Sequence, residues 1–320
     1  MDLKLLIEIL ADGEFHSGEA LGERLGITRA AVWKRLQHLM SMDIPVETNK
    51  GKGYRILGGL DLLKLEQIKG DITPLSRALT GNFYFFEEID STNSFLLAHG
   101  GHGDVCFAER QTAGRGRRGR EWFSPYGRNI YLSLRWHVDQ GVAALEGLSL
   151  AVGVLIAETL AQFGVDEVEL KWPNDLLHDG RKLGGVLIEV GGDLTGECVV
   201  VVGIGLNVTM GDALSEDRIS QPWIDLKRLG FHGSRNKLIA ALISELLPAF
   251  RSFPNMGFAA YRDRWESRCA FFNNPISVLS PTGSVDGQLL GVDPQGGLRV
   301  LVDGNEVVFA GGEISLRKRA

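Results

Sequence analysis

The 320-residue chain has only three cysteines, Cys106, Cys198 and Cys269, far apart and without metal-type spacing. That scarcity argues against a disulfide-stapled fold or a zinc site, and it points to a reducing, cytoplasmic setting. A strong excess of one charge is missing too. Lys and Arg number 34 against 40 Asp and Glu, a formal net charge of −6. The whole molecule is therefore no generic polyanion binder, and any nucleic-acid contact must come from a local patch. We expect no membrane span, since no apolar run approaches the length required. The opening "MDLKLLIEILADGEF" carries acidic residues within its apolar positions and has no cleavage site. Internal repeats and low-complexity tracts are absent. What is present, 44% hydrophobic residues, suffices for two or three domains with proper cores.

The stretch "RQTAGRGRRGREWFSP" at 110–125 contains G-x-G-x-x-G from Gly114 to Gly119. A dinucleotide fingerprint would need a helix to follow. Instead Pro125 and Gly127 lead into a second β-type run, and no Gly-Lys-Ser/Thr of a Walker loop occurs. The stretch reads as a glycine-flexible loop between strands, carrying Arg115, Arg117, Arg118 and Arg120. By itself it reads as a solvated charged loop or a nucleic-acid patch, and the rest of the chain must decide.

In the first sixty residues Leu3, Leu6, Ile7 and Leu10 have helical spacing. Ser17 can cap a second helix with Ala20, Leu21 and Leu25 as apolar positions. Thr28 can cap a third, with Ala31, Val32, Leu36 and Leu39 facing inward. Residues 44–57 then read as two strands around Gly-Lys-Gly. The pattern predicts a winged helix-turn-helix, against the alternative of a small helical interaction module. Charge favours the former. Residues 1–27 hold two basic and six acidic side chains, whereas 28–55 hold six basic and two acidic. The positive half is the recognition helix and wing, so Arg29, Lys34, Arg35, Lys50 and Lys52 are the candidate DNA contacts.

From about residue 80 strands mix with long helices. Short connections favour a mixed, largely antiparallel sheet backed by helices at 145–164 and 236–250. Residues 211–222 are weakly patterned and read as a mobile loop. Four clusters stand out: "DSTN" at 90–93, where Ser91 can be a plain helix cap; "KWPND" at 171–175; "GRKLGGVLIE" at 180–189; and "GIGLNV", ending near Asn207. Lysines and arginines converging with glycines, without a His-Ser or Cys-His set, suggest anionic phosphate chemistry and no covalent enzyme intermediate.

"DSTN", "QTAGRGRRGREWFSP", "KWPND", "KLGGVLIE" and "GIGLNV", in this order, resemble the motifs of biotin protein ligases. With the leading winged helix, the resemblance is to the bifunctional ligase and biotin operon repressor type, and it extends over essentially the whole chain. It implies an α+β multidomain fold. A winged helix at 1–63 and a linker at 64–79 would precede a class II aminoacyl-tRNA synthetase-like catalytic domain at 80–268. An SH3-like barrel would follow at 269–320. It also implies two half-reactions: biotin and ATP give biotinyl-5′-adenylate with Mg2+ as the metal, and a lysine of the carboxyl carrier protein of acetyl-CoA carboxylase then takes the biotinyl group. By motif matching, Ser91, Thr92, Gln111, Arg115, Gly116, Arg117 and Gly185 border biotin. Arg117, Arg120, Lys171, Asn174, Lys182 and Asn207 serve the phosphates, with Lys182, Arg117 and Lys171 catalytic. Asn93, Gly114 and Trp122 complete the ligand shell, and Trp223 covers adenine. A lipoate-type ligase and a repressor with a vestigial site are the alternatives. The adenylate would drive a homodimer onto operator DNA, with the apolar strand "CVVVVGIGLNV" as the candidate pairing edge.

Overall fold

The computed structural model describes residues 2–193, 196–211, 219, 221–280, 283–311 and 314–318. Helices α1 (Asp2–Leu10), α2 (Gly18–Leu25) and α3 (Arg29–Ser41) lead into a hairpin of β1 (Val46–Asn49) and β2 (Gly53–Ile56). The Ser17 and Thr28 hydroxyls accept from Ala20 N and Ala31 N at 3.0 and 3.3 Å. Each satisfies an amide that a helix start leaves open. Gly26, at φ +64°, ends α2 in the left-handed region and turns the chain into α3. Leu6, Leu10, Leu21, Val32, Leu36, Leu39 and Ile56 are fully buried in this small core. Ala20, expected on the inner side of α2, is exposed. The winged helix-turn-helix is present.

Residues 64–79 contain two short helices, α4 (Leu65–Asp71) and α5 (Pro74–Arg77). Ile68 and Ile72 bury themselves in the main core, and Ser76 Oγ donates to Ser244 O at 2.7 Å. Ile68 lies within α4 and Ile72 follows its end in extended backbone, and their burial anchors the segment.

The central sheet comprises β3 (Phe83–Phe86), β4 (Val105–Ala108), β5 (Ile130–Val138), β6 (Glu169–Lys171), β7 (Asp175–His178), β8 (Arg181–Gly192) and β9 (Cys198–Leu206). Their order is β3-β4-β5-β9-β8-β7-β6, with β3 and β4 parallel and the other described pairs antiparallel. Side chains alternate across the sheet. Val105, Phe107, Leu132, Leu134, Val200, Val202 and Ile204 join the core beneath α7 (Leu148–Gln162) and α8 (Arg235–Met256). Cys106 and Val201 face the other way, against Leu96 of α6 (Thr92–His99).

Two expectations are corrected here. The apolar strand at 198–208 is no edge: β9 lies between β5 and β8 and pairs with both along its length. Its run of valines reflects burial at the sheet centre. Among the described residues, an open edge runs instead along the second half of β8, because β7 pairs with β8 only at residues 181–185. The second correction concerns the membrane. Val142–Gln162 has the length and composition to span one. Gly147, at φ +73°, breaks the segment, and α7 beyond it is buried almost all round. A helix sandwiched between a sheet and α8 becomes apolar on every face for that reason.

The C-terminal strands β10 (Pro275–Ser280), β11 (Gly283–Val292), β12 (Leu298–Val302), β13 (Asn305–Phe309) and β14 (Ser315–Lys318) form an antiparallel sheet in the order β13-β12-β11-β10-β14.

A buried charge cluster holds the winged helix to the body. Arg235, 2% exposed, pairs with Glu109, 1% exposed, at 2.7 Å. The guanidinium also donates to Asp61 O and Asn129 O, and Glu109 accepts from Leu63 N at 2.5 Å. Tyr126 completes the winged-helix core from outside, its hydroxyl donating to Glu87, which also pairs with Lys4 at 2.7 Å. Removing one partner of a buried ion pair strands the other charge. Glu109→Ala or Arg235→Ala should each cost about 3–5 kcal/mol. The double substitution Glu109→Ala with Arg235→Met should cost less than the sum, as thermal melts of all three variants would read out.

Candidate active site

At one end of the sheet, the face away from α7 carries small and polar residues. Gly203 and Gly205 of β9 leave room there that a side chain would fill. A Cβ on Gly203 would lie 2.3 Å from Asn93 Oδ1, and one on Gly205 would lie 2.5 Å from the Trp122 indole. The space above is a cavity of about 940 Å³. Every ligand-site residue expected from the sequence lines it except Gly114. Gly114 lies at the root of the arginine–glycine loop, where a Cβ would come within 2.7 Å of Trp122 O.

One half of the cavity is a neutral hydrogen-bonded cradle. Ser91 caps α6, its side chain accepting from Ser94 N, so the cap and the lining role coincide. Thr92 donates from its amide and its hydroxyl to Gln111 Oε1, at 2.9 and 3.1 Å. Ser133 Oγ lies 2.7 Å from Thr92 Oγ1 and 2.6 Å from Asn93 Oδ1, and Asn93 Nδ2 donates to Glu189 at 2.8 Å. Arg115 closes this side through Ser94 Oγ at 2.8 Å and Glu189 at 3.0 Å.

The other half is cationic. The loop folds back on itself through Gly116 N to Arg120 O at 2.7 Å and Trp122 N to Gly114 O at 2.9 Å. Arg118, at φ +60°, sits in the left-handed region at its tip. Arg117 thereby reaches Asn174 Oδ1 at 3.3 Å, and Asn174 in turn donates to Val186 O. Burial lowers the pKa of Arg117, opposed by the Asp175 carboxylate. Lys171 is lowered as well, first by burial, with Asp175 opposing and Lys182, Arg120 and Arg317 adding to the shift. Lys182 Nζ pairs with Asp175 at 2.7 Å and lies 5.5 Å from the Trp122 ring centroid. The indole Nε1 of Trp122 is buried without a hydrogen-bond partner.

Asn207 acts through the backbone. Its amide donates to Lys182 O and Ile224 O, tying β8 to the segment that holds Trp223. Trp223 bridges to Lys182, and Arg228 stacks on its ring at 4.4 Å. Most of the expected loop at 211–222, residues 212–218 and 220, lies outside the described residues.

Several groups in or behind the cavity wall escaped sequence reasoning. Asp175 lines the cavity from inside "KWPND", where a tight turn alone accounts for it, and Glu189, at the end of "KLGGVLIE", meets Arg115 from behind the wall. Ser133 is a small polar residue in the apolar first half of β5 and bonds Thr92 and Asn93 from behind the wall. Leu279, Ser315 and Arg317 come from the C-terminal sheet and have no local signature. Trp172 helps to position that sheet, its Nε1 donating to Gly296 O at 3.0 Å.

The second candidate surface is the winged helix. Arg29, Lys34, Lys50 and Lys52 are exposed there. Arg35 is half-buried and turns back to donate to Ala31 O at 3.3 Å.

Comparison with known proteins finds a counterpart for each module. Residues 85–207 match the biotin/lipoate A/B protein ligase family, 2–55 an HTH domain, and 271–317 the biotin protein ligase C-terminal domain. The chain is 44% identical to the bifunctional ligase/repressor BirA of Escherichia coli (strain K12), over 98% of this chain and 96% of that protein. It is 34% identical to the biotin–[acetyl-CoA-carboxylase] ligase of Mycobacterium tuberculosis, over 70% and 85% of the two chains. The solved biotin protein ligase of Aquifex aeolicus in complex with biotin and ATP superposes with a TM-score of 0.65 at 28% identity, covering 74% of this chain and 99% of that one. A two-part cavity, a winged helix and identity along nearly the whole length carry one conclusion: the chain belongs to the biotin protein ligase family, in its bifunctional ligase/repressor form.

Proposed function

We propose that the cradle formed by α6 and Gln111 holds biotin while the cationic half of the cavity holds the phosphates of ATP. The protein is an ATP-dependent biotin–protein ligase that also represses transcription through its winged helix. The observation that carries the site reading is the convergence of Arg117, Lys171 and Lys182 beside a cradle of hydroxyl and amide side chains, where the Arg115 charge is paired with Glu189. In the first step a biotin carboxylate oxygen attacks the α-phosphorus, the bond to the β-phosphate breaks, and pyrophosphate leaves. Anion meets polyanion, so the nearby cations must offset repulsion as charge builds on the α-phosphate. In the second step a carrier lysine amine attacks the acyl carbon, loses a proton, and displaces AMP. Trp122 and Trp223, flanking Lys182, are the aromatic walls against which an adenylate would lie.

Magnesium fits this chemistry as the companion of ATP. Among the described residues no group of three His, Cys, Asp or Glu forms a metal cage. A hard ion held mostly by phosphate oxygens and water needs no such cage, and the lining carboxylates Asp175 and Glu121 are at hand. The physiological acceptor is the biotin carboxyl carrier protein of acetyl-CoA carboxylase, and the setting is cytoplasmic, consistent with three free cysteines. The catalytic fold is of the class II synthetase type, and the five C-terminal strands follow an SH3-like barrel. The boundaries proposed are 1–63, 64–79, 80–268 and 269–320, with α4 and α5 making the linker a packed one. The family model also covers lipoate ligases, but the C-terminal match is to biotin protein ligases.

Homodimerisation couples the two activities. The open edge along the second half of β8 is the pairing surface, and Glu189 on that strand touches Arg115 of the ligand loop. Ligand that orders the loop thus stabilises the surface, and dimerisation must tighten adenylate binding by the same factor.

Lys182→Ala or Arg117→Ala should slow adenylate formation by roughly 2–4 kcal/mol of barrier, measured as pyrophosphate release; wild-type rates would remove both from the mechanism. Deleting residues 1–63 should abolish the gel shift on the biotin-gene promoter and leave measurable transfer of labelled biotin to a carrier domain. Sedimentation should show a mainly monomeric apo protein and a dimer with biotin plus ATP. An unchanged association constant would sink the coupling.

A further inference from the structure

The winged helix has an exposed aromatic side chain that its own fold does not use up. Trp33, on α3, is 41% exposed. Its ring meets Tyr54 of β2 at a centroid distance of 6.0 Å, tilted by 38°, and the rest faces solvent. Ala30, Trp33, Lys34 and Gln37 are all exposed and share one helical face, opposite the buried Val32, Leu36 and Leu39. Helix α3 carries no acidic residue. Exposed Arg29 and Lys34 lie on the same helix, and the wing adds exposed Lys50 and Lys52. An apolar ring and a carboxamide in such a positive field suit an anionic partner that offers both methyl groups and amide-like edges. Duplex DNA does so in the major groove: thymine presents a methyl group, and adenine an acceptor and a donor that a carboxamide engages together.

We infer that Trp33 and Gln37 are the base-reading side chains of α3, with Trp33 against a thymine methyl and Gln37 on an adenine. This rests on the DNA-binding reading of the winged helix. The two residues are four apart, roughly 6 Å along the helix axis, so they read base pairs about two steps apart in an A·T-containing half-site. Trp33 also leans on Tyr54, so the wing sets the angle at which the indole enters the groove. Lys34, Lys50, Lys52 and Arg29 then contact phosphates and carry no sequence information. Arg35, turned back on its own helix, has no part in the reading.

The division of labour gives a test with separable readouts. Full-length protein with biotin, ATP and magnesium selects duplexes from a random pool. Affinities are then measured on the selected duplex and on a random one across a salt series. Trp33→Ala and Gln37→Ala should each lose about tenfold or more on the selected duplex, with little change on the random duplex and an unaltered salt slope. Gln37→Ala, reselected, should lose its preference at one base pair and keep the others. Lys34→Ala should weaken both duplexes and reduce the salt slope by about 1. Unchanged affinity in both variants would overturn the assignment, as would a parallel loss on both duplexes with a shallower slope. Should Trp33→Ala melt early through its contact with Tyr54, the exposed Gln37 still decides the matter by its position-specific relaxation. If the wild type enriches no sequence, the DNA-binding reading itself falls, and the inference with it.

Discussion

The structure is organised around the repulsion among cations gathered in a half-buried cavity. Arg117, Lys171, Lys182, Arg120 and Arg317 all line it, and burial already works against the charged forms of Arg117 and Lys171. Like charges brought together in a partly desolvated site are unfavourable until an anion joins them. In the free protein Asp175 supplies that anion, pairing with Lys182 and drawing on Lys171 and Arg117. On the proposed reading a triphosphate would be a far stronger counter-charge, compensating the cations where reaction charge develops. The same reading has that repulsion relieved on binding, with the cations already gathered for the transition state.

Room for this arrangement comes from the alternation of the sheet. On β9 one set of alternating side chains fills the core while the other set falls on the ligand face. There glycines at 203 and 205 admit Asn93 and the Trp122 ring. The arginine–glycine loop reaches across because Gly114 permits close approach at its root, and because Arg118 accepts a left-handed turn at its tip. The loop is also anchored outside the cavity. Glu109 just before it binds Leu63 N and Arg235, and Tyr126 just after it seals the winged-helix core. One segment therefore lines the cavity in its middle and meets the winged-helix module at both ends.

Much of this was legible in the linear order of residues. Caps at Ser17, Thr28 and Ser91, the apolar spacing of the first three helices and the β-rich runs of the sheet are local properties, and local chemistry decides them. The five motifs were equally visible, because glycines and cations at close spacing have few structural explanations. Other features had no local trace. Whether the valines of β9 belong to an edge or a centre depends on strand order, and a buried central strand and an apolar edge strand look alike in sequence. The apolar segment ending at Gln162 could have spanned a membrane by composition; only α8 and the sheet on either side of it account for its character.

By itself, then, the sequence determined the kind of chemistry and the identity of the modules, since residue types and short spacings specify donors, caps and turns. Tertiary structure decided which groups act together. It turned Asp175 from a turn residue into the partner of Lys182, and Glu189 into a clamp on Arg115. It brought Arg317 from the last strand into the cavity and withdrew Arg35 from the exposed face of α3. Such relations join residues far apart in the chain, or depend on which way a helix face turns, and packing alone sets them.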